Sequence, residues 1–254
     1  MKLLHNLITK RLSLAAFLFV TLCANVPALE FSSGEQQTQL IELYTSEGCS
    51  SCPPADRWLS ELKTSPELWQ SFVPIAYHVD YWDYIGWADP YADPAHAARQ
   101  RRHAAVGNLK TVYTPGFVVD GMEWRGWFKG RALPAQGPST GRLQAKLSGD
   151  KLSVSFFPTG SHQQMIATVT ILGADHISKV KRGENANRTL EHDFAVLGET
   201  SVPMKFHPDR KSFTVEFEAP KHADAKAIAV WVSPDAALRP LQATGAWLNV
   251  GLNP

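Results

Sequence analysis

The sequence predicts an α/β domain, in which a mixed sheet is flanked by helices, followed by an antiparallel β-domain of the sandwich type. Three observations support this fold class. Apolar, β-prone runs alternate with segments of helical periodicity in the first half of the chain. The segment LPAQGPSTG at 133–141 is rich in Pro, Gly and Ser, which is typical of a linker. Beyond this segment only short runs of strand periodicity recur, a pattern typical of antiparallel sheets.

The first half begins with a strand, a short loop and a helix. Residues Gln39–Thr45 (QLIELYT) are apolar and β-prone, which predicts a buried strand. Two cysteines follow this strand, and residues 55–62 then carry apolar side chains at helical spacing. We expect a second strand at 72–79, an aromatic loop or broken helix at 80–94 and a helix at 95–106.

The remaining predicted elements are strands. A third strand at 111–120 is entered through Thr114-Pro115, and residues 123–128 return as its hairpin partner after Gly121. In the second half, strands are predicted at 152–156, 165–172, 213–219 and 227–233. The resulting organisation is a signal peptide at 1–28, a first domain at 35–131 with an aromatic and helical insertion at 80–107, a linker at 132–141 and a C-terminal β-domain at 142–254.

The first 28 residues have the pattern of a secretory signal peptide. Lys2, Lys10 and Arg11 supply positive charge, and the apolar core at 12–22 is shorter than the ~20 residues of a membrane-spanning helix. Small residues precede a cleavage site after Ala28. We therefore expect an exported protein, periplasmic or secreted, with no stable membrane insertion after cleavage and only two cysteines.

Composition and charge restrict the classes of function. The chain has 254 residues, of which 44% are hydrophobic and 19% charged, as in folded domains. A formal net charge of +1 gives no electrostatic reason to expect nucleic acid as a partner. The sequence contains no H-E-x-x-H motif and no glycine loop for phosphates. We expect no cofactor.

Cys49 and Cys52 are the candidate catalytic residues. Between a strand and a helix, Cys49 would lie where unpaired N–H groups and the helix dipole favour a thiolate, the nucleophilic form. Cys52 could then resolve a mixed disulfide formed on Cys49. Thr114 and Pro115 are candidate substrate-binding residues, because a cis bond beside the cysteines would leave the Thr114 backbone free to bind an extended chain.

Residues 44–52, Y-T-x-x-G-C-x-x-C, resemble the active-site segment of glutaredoxin-like members of the thioredoxin superfamily. Residues 114–121, T-P-x-F-x-x-x-G, resemble that superfamily's cis-proline strand and hairpin. Most of the mature chain also resembles a family of exported bacterial thioredoxin-like proteins described only as a domain of unknown function. The shared stretches are ELYTSEGCSSCPPAD, HVDYWDYIGW, YTPGFVVDG and GENANRTLEH. The resemblance implies a thioredoxin-like first domain and a dithiol site.

The segment departs from thioredoxins in ways that affect proton handling. Leu43 stands where thioredoxins carry a buried acid, and Glu42 should face the other side of the strand. The cysteines enclose Ser50 and Ser51. Glu47 carries a like charge near the thiolate and should oppose its formation. The direction of electron flow is therefore left open.

Three interpretations of the cysteine pair remain. The first is a thiol–disulfide oxidoreductase that acts on protein dithiols, protein disulfides or small thiols. The second is a non-catalytic secreted binding module with a structural disulfide and an aromatic recognition loop. The third, a lesser alternative, is copper or zinc bound by both thiolates and one histidine. Candidate auxiliary residues are Glu47, Ser50, Ser51, His78 and Trp82, and the oligomeric state is open.

The enzymatic interpretation has two structural conditions. Pro115 must lie beside Cys49 and Cys52, and a partner must be able to reach one of the sulfurs.

Overall fold

The structure is a computed structural model that describes residues 28–234 and 238–248. The predicted signal peptide, apart from Ala28, lies outside the described residues. The described part contains fifteen β-strands and two α-helices, α1 Pro53–Glu61 and α2 Pro94–Ala105. No helix within it is long and apolar enough to cross a membrane.

The strands form three sheets. In chain order they are β1 Leu29–Ser32, β2 Gln39–Thr45, β3 Phe72–His78, β4 Gly116–Val119, β5 Met122–Glu123, β6 Gly141–Ser148, β7 Lys151–Pro158, β8 Ile166–Gly173, β9 His176–Lys179, β10 Thr189–His192, β11 Ala195–Pro203, β12 Lys205–His207, β13 Ser212–Glu218, β14 Ala227–Ser233 and β15 Gln242–Trp247. Short 3-10 helices occur at Leu62–Thr64, Asp83–Ile85 and Trp127–Lys129.

An eight-stranded sheet with the order β15-β14-β8-β11-β3-β2-β4-β5 runs through the molecule. Its β2 end is mixed, because β2 is parallel to β3 and antiparallel to β4. Its β14 end is antiparallel. The two ends meet where β11 pairs with β3 through Ala195 and Ala76. The sheet therefore joins strands from both halves of the sequence.

The strands next to the cysteine loop are buried on both faces. Every residue of β2 and of β3 is buried, which explains why neither strand alternates between apolar and polar side chains. The helices begin at sequence signals that physical chemistry favours. Pro53 and Pro54 occupy the first turn of α1, where a missing N–H has no intrahelical partner. The Asp93 side chain accepts a hydrogen bond from Ala95 N at 2.7 Å and caps α2.

A five-stranded antiparallel sheet, in the order β1-β6-β7-β13-β12, packs against the β14 end of the large sheet. Buried and exposed residues alternate along β6 and β7, so that Leu143, Val154 and Phe156 face inwards. They meet Val169 of β8 and Val230 of β14 in one core. In this part of the molecule the two sheets therefore pack face to face around a shared core.

The predicted fold class is nevertheless wrong. With two α-helices in the described ranges, the mixed sheet is not flanked by helices as a thioredoxin-like α/β domain requires. Moreover, strands β8, β11, β14 and β15, expected in a separate β-domain, extend the same sheet as β2 and β3. Periodicity identifies a strand but not the strand that pairs with it. The edge of β3 that does not pair with β2 pairs with β11. The domain boundaries themselves stay a prediction.

Most of the predicted elements lie close to their expected positions, whereas β1, β6, β9, β10, β11, β12 and β15 were not predicted. The bounds of β2 are those expected, and α2 begins and ends within one residue of its prediction. The predicted strand at 111–120 is shorter, because only Gly116–Val119 is strand. The predicted hairpin partner at 123–128 is a two-residue strand followed by a 3-10 helix.

Candidate active site

The cysteine loop connects β2 to α1. Cys49 lies in a turn in which its N–H donates to Ser46 O at 3.1 Å. Cys52 is the residue at the N-terminus of α1, and its N–H donates to Cys49 O at 3.2 Å. Both are free thiols. The Cys49 sulfur lies 3.2 Å from the Ser51 hydroxyl and close enough to Cys52 that the two thiols affect each other's pKa.

The Thr114-Pro115 segment lies beside this loop. The peptide bond between the two residues is cis, which the sequence left open. Because Gly116 of β4 pairs with Tyr44 of β2, the segment lies next to the residues that follow β2. The Thr114 carbonyl oxygen is 3.8 Å from Cys49 Sγ. The structure therefore brings together the four residues selected as catalytic and substrate-binding.

The two thiols have opposite electrostatic surroundings. The hydrogen bond from Cys52 is the largest effect on Cys49 and, together with those from Ser51 and Thr114, outweighs burial and lowers the Cys49 pKa to about 6. Burial, the hydrogen bond to Cys49 and the Asp56 charge raise the pKa of Cys52 well above its usual value. At neutral pH, Cys49 is therefore largely a thiolate while Cys52 remains a thiol.

Both sulfurs are enclosed, although the loop that carries them reaches the surface. Cys49 is 1% exposed and Cys52 is 0% exposed, whereas Ser50 and Ser51 between them are exposed. The aromatic loop lies against this segment: a Cβ added at Gly48 would be 2.8 Å from the Trp82 Cβ. The second condition of the enzymatic interpretation, an accessible sulfur, is therefore not met in this conformation.

Trp82 also contacts the substrate-binding candidates. Its indole N–H donates a hydrogen bond to Thr114 Oγ1 at 2.8 Å. Tyr81, the preceding residue, lies close enough to the cysteines that their charges raise its pKa in addition to the effect of burial. These two half-buried rings form the cover over the cysteine loop, and we call them the aromatic cover.

A loop from the second half of the chain fastens the cysteine segment from another side. Asn185, between β9 and β10, is fully buried and donates hydrogen bonds to Glu47 O at 2.8 Å and Cys49 O at 2.9 Å. The Glu184 carboxylate accepts a hydrogen bond from Ser50 N at 3.0 Å. Sequence reasoning missed both residues, although they belong to the GENANRTLEH stretch that carries the family resemblance.

Glu47 and His78 belong to a buried cluster of carboxylates and histidines. Glu47 Oε1 is 3.0 Å from His192 Nε2, and Asp89 Oδ2 is 2.7 Å from His78 Nδ1. The two imidazole rings lie 4.8 Å apart and nearly perpendicular. The Glu47 carboxylate also accepts a hydrogen bond from the Trp87 indole at 2.6 Å. It is not among the groups with the largest effects on the Cys49 pKa.

This cluster is not arranged as a metal site. Among the described residues, no group of three or more His, Cys, Asp or Glu side chains could hold a metal ion. His78 directs its Nδ1 to Asp89. The copper or zinc interpretation through both cysteines and His78 therefore gains no support from the geometry.

Glu42 faces α2, where Arg99 binds its carboxylate through two nitrogens at 2.9 and 3.0 Å. The Tyr44 hydroxyl donates to the same carboxylate at 2.8 Å, and His103 Nε2 lies 3.3 Å from it. The effects of Arg99 and His103 together outweigh burial and hold the Glu42 pKa well below its usual range. Glu42 thus joins β2 to α2 and is not directed to the cysteines.

Asp56 is the buried acid that sequence reasoning did not select. It lies one helical turn after Cys52, where its N–H donates to Cys52 O at 3.1 Å, and only 6% of the residue is exposed. The signal available in the sequence was a charged residue four positions after Cys52, beside the buried positions Ala55 and Leu59.

The family model described as "Protein of unknown function (DUF1223)" matches residues 40–233, more than half of the chain. The crystal structure of protein AGR_C_4864 from Agrobacterium tumefaciens has a TM-score of 0.62 at 24% identity, covering 87% of this chain and 99% of that one. HBP35 of Porphyromonas gingivalis has a TM-score of 0.56 at 14% identity, covering 85% of this chain and 76% of that one. No curated protein matches. At these identities the similarity to solved structures shows a shared fold alone.

Proposed function

We propose that this chain, which belongs to the DUF1223 protein family, is an exported thiol–disulfide oxidoreductase that acts through Cys49 and Cys52. The observation that carries the proposal is the placement of two free thiols within a single turn beside the cis Thr114-Pro115 segment, with the Thr114 carbonyl oxygen 3.8 Å from Cys49 Sγ. The pKa values of the two thiols are also displaced in opposite directions. A low pKa supplies a nucleophile at neutral pH, and a high pKa keeps the second thiol protonated until it is needed. A bridge with a purely structural role has no need of this difference.

The reaction has two exchange steps. The Cys49 thiolate attacks one sulfur of a substrate disulfide, so that a Cys49–substrate bond forms, the substrate bond breaks and one substrate thiolate leaves. The Cys52 sulfur, after losing its proton, attacks Cys49 Sγ and releases the second substrate thiolate. The substrate gains two electrons and the protein ends with a Cys49–Cys52 disulfide. The reverse sequence oxidises a dithiol.

The substrates are protein disulfides, protein dithiols or small thiols. The Thr114 carbonyl, 3.8 Å from Cys49 Sγ, is in position to accept a hydrogen bond from a substrate backbone docked against the attacking sulfur. This local arrangement of a cysteine pair and an X-Pro segment resembles the dithiol site of the thioredoxin superfamily, and the likeness is confined to the site. Because both sulfurs are enclosed, the aromatic cover moves when a substrate enters.

Two measurements test the function. Redox equilibration of the cysteine pair against glutathione buffers should give a reduction potential above about −270 mV, as in exchange proteins. The Cys52→Ser variant should trap a mixed disulfide with added glutathione disulfide, while Cys49→Ser, the matched control, should trap none. A potential below about −300 mV, together with no adduct on Cys52→Ser, would overturn the proposal.

The second candidate function is a secreted binding module with an inert Cys49–Cys52 disulfide. The burial of both sulfurs favours it, because an inert bridge needs no access. The aromatic loop that would contact a partner carries Tyr84, which is 82% exposed. The same two measurements separate the candidates, because the inert bridge has the low potential and forms no adduct.

A further inference from the structure

The exchange reaction requires a group that accepts the proton of Cys52. Cys52 has a raised pKa, so its proton must be taken up by another group before its sulfur can attack Cys49. Leu43, which occupies the position of the buried acid in thioredoxins, has a side chain that cannot accept a proton. Asp56 is a buried carboxyl near Cys52, and it takes no part in the exchange steps above.

The backbone of α1 places Asp56 on the same face as Cys52. Residues four apart on a helix are neighbours, and the helical hydrogen bond from Asp56 N to Cys52 O is 3.1 Å. Thr45 Oγ1, at the end of β2, is buried without a hydrogen-bond partner at normal distance. It nevertheless lies near enough to both groups to lower the pKa of each. Asp56 and Cys52 therefore share one buried polar environment.

The groups that face Asp56 come from several elements. Burial raises its pKa, His192 of β10 and His78 of β3 act to lower it, and Asp89 of the aromatic loop acts to raise it again, so that the pKa is raised overall. His78 Nε2 and His192 Nδ1 are buried and have no hydrogen-bond partner within the described part of the chain. Such unpaired buried atoms are uncommon in native structures, and a role in redox or acid–base chemistry is one explanation for them.

Asp56 also reaches a cavity that does not border the sulfurs. The cavity, about 200 Å³, lies between the start of α1 and β10 and is lined by residues that include Asp56, Arg57, Arg188 and Glu191. A water molecule occupies about 30 Å³ of liquid, so the cavity has room for several. The cysteines, Thr114 and Trp82 are not in its lining. Asp56 therefore stands between the buried thiol and a separate solvent space.

We propose that Asp56 accepts the proton of Cys52 during resolution of the mixed disulfide and releases it to water in the cavity between α1 and β10. The inference rests on the proposed exchange function. As the Cys52 S–H bond breaks, the proton moves to the Asp56 carboxylate and the Cys52 sulfur bonds to Cys49 Sγ. The bond from Cys49 to the substrate sulfur breaks, and the substrate leaves as a thiolate. Protonated Asp56 then returns its proton to water in the cavity.

The test uses the reduced full chain and Ellman's reagent, whose coloured thiolate is released once in each step. The first release reports attack by Cys49, and the second reports resolution by Cys52. The Asp56→Asn variant should leave the first rate within about twofold and slow the second at least tenfold, at the low end of general-base effects. The Asp56→Glu variant should restore part of the second rate. Glu61→Gln, at an exposed position on the same helix, is the matched control and should change neither rate.

The possible outcomes distinguish failure of the Asp56 assignment from failure of the exchange function. If the wild-type protein shows neither release, the exchange function fails. If both releases occur and Asp56→Asn leaves the second unchanged, the assignment of Asp56 is wrong while the function stands. If Asp56→Asn fails to fold, carbon NMR of the isotopically labelled wild-type protein tests the role of Asp56 instead. The Asp56 carboxyl resonance should titrate above its usual range in the reduced protein and change on oxidation of the cysteines, and a resonance insensitive to redox state overturns the inference.

Discussion

Two buried ionic clusters contact β2 or the loop that follows it, and they differ in how completely their polar atoms are paired. In the first, the Glu42 carboxylate is bound by Arg99, Tyr44 and His103. In the second, around Asp56, the nitrogen atoms His78 Nε2 and His192 Nδ1 have no hydrogen-bond partner among the described residues. Fully paired buried charges hold a structure rigid, whereas incompletely paired ones retain the capacity to exchange protons.

The difference has an energetic consequence for each cluster. The bidentate pair of Glu42 and Arg99 lowers the Glu42 pKa despite complete burial, so its ionised form is compatible with the folded state. The pKa of Asp56 is instead raised by burial, so its ionised form opposes folding. We therefore expect ionised Glu42 to contribute stability and ionised Asp56 to reduce it.

The largest expected effect is on the first cluster. Replacing Arg99 by Met should destabilise the protein by about 3–5 kcal/mol, because it leaves the Glu42 carboxylate buried without its ion-pair partner. Urea unfolding measures this change. Lys146→Ala, which breaks the exposed pair with Glu30, is the control and should cost less than about 1 kcal/mol. A cost for Arg99→Met no larger than that of the control would show that the first cluster is not structural.

The next prediction concerns the cysteines beside the second cluster. The rate of Cys49 alkylation by iodoacetamide should rise with a midpoint at about pH 6 in the wild-type protein. Cys52→Ala removes the largest cause of the lowered pKa, the hydrogen bond from the Cys52 thiol, so the midpoint should move upwards. Mass spectrometry of the modified cysteine at several pH values measures both midpoints. Equal midpoints in the two proteins would contradict the assigned hydrogen bond.

A smaller effect is expected from the aromatic cover. Trp82→Ala should raise the rate of Cys49 alkylation about tenfold. This change corresponds to a free-energy barrier to alkylation that is lower by about 1.4 kcal/mol. Trp82→Phe removes the hydrogen bond to Thr114 Oγ1 but keeps an aromatic ring at this position, and it should have a lesser effect. Rates are compared at one pH above the Cys49 midpoint. If Trp82→Ala reacts no faster than the wild-type protein, Trp82 does not control access.

The smallest effect is expected on stability, through the ionisation of Asp56 in the second cluster. Because the folded-state pKa of Asp56 is raised, its ionisation destabilises the fold as the pH rises from the unfolded value through the raised value. Asp56→Asn should therefore be more stable than the wild-type protein at pH 7, because the uncharged amide avoids the cost of burying the ionised carboxylate. The advantage should disappear below about pH 4, where Asp56 is protonated in both states. Urea unfolding at both pH values tests the sign, and a less stable variant at pH 7 would contradict it.

The sequence supplied the parts of the site that depend on short spacing. Cys49 and Cys52 lie two residues apart before a helix, and Thr114 and Pro115 open a strand that pairs with β2, so local patterns were sufficient to select them. Asn185 was missed because its contact with Cys49 spans 136 positions and depends on the β9–β10 hairpin reaching the cysteine loop. Asp56 was missed because its burial depends on β10 packing against α1.

The fold class was wrong for a related reason. Each main strand of the first half was found from its own periodicity, but the neighbour of β3 could not be, since β11 begins more than a hundred residues later. A two-residue pattern specifies which face of a strand is apolar, and tertiary packing decides which strand fills the adjacent position. The result is one sheet where a separate helix-flanked sheet was expected.

The pairing of β11 with β3 determines how the protein can be divided. Ala76 N donates to Phe194 O at 2.8 Å just where the two halves of the chain meet, and Asn185 adds the contact to Cys49. A fragment truncated after residue 131 would lose both contacts and would present β3 as an unprotected edge, a surface prone to aggregate. The cysteine loop and the distant sandwich should consequently melt in a single cooperative transition, and limited proteolysis should release no stable redox fragment.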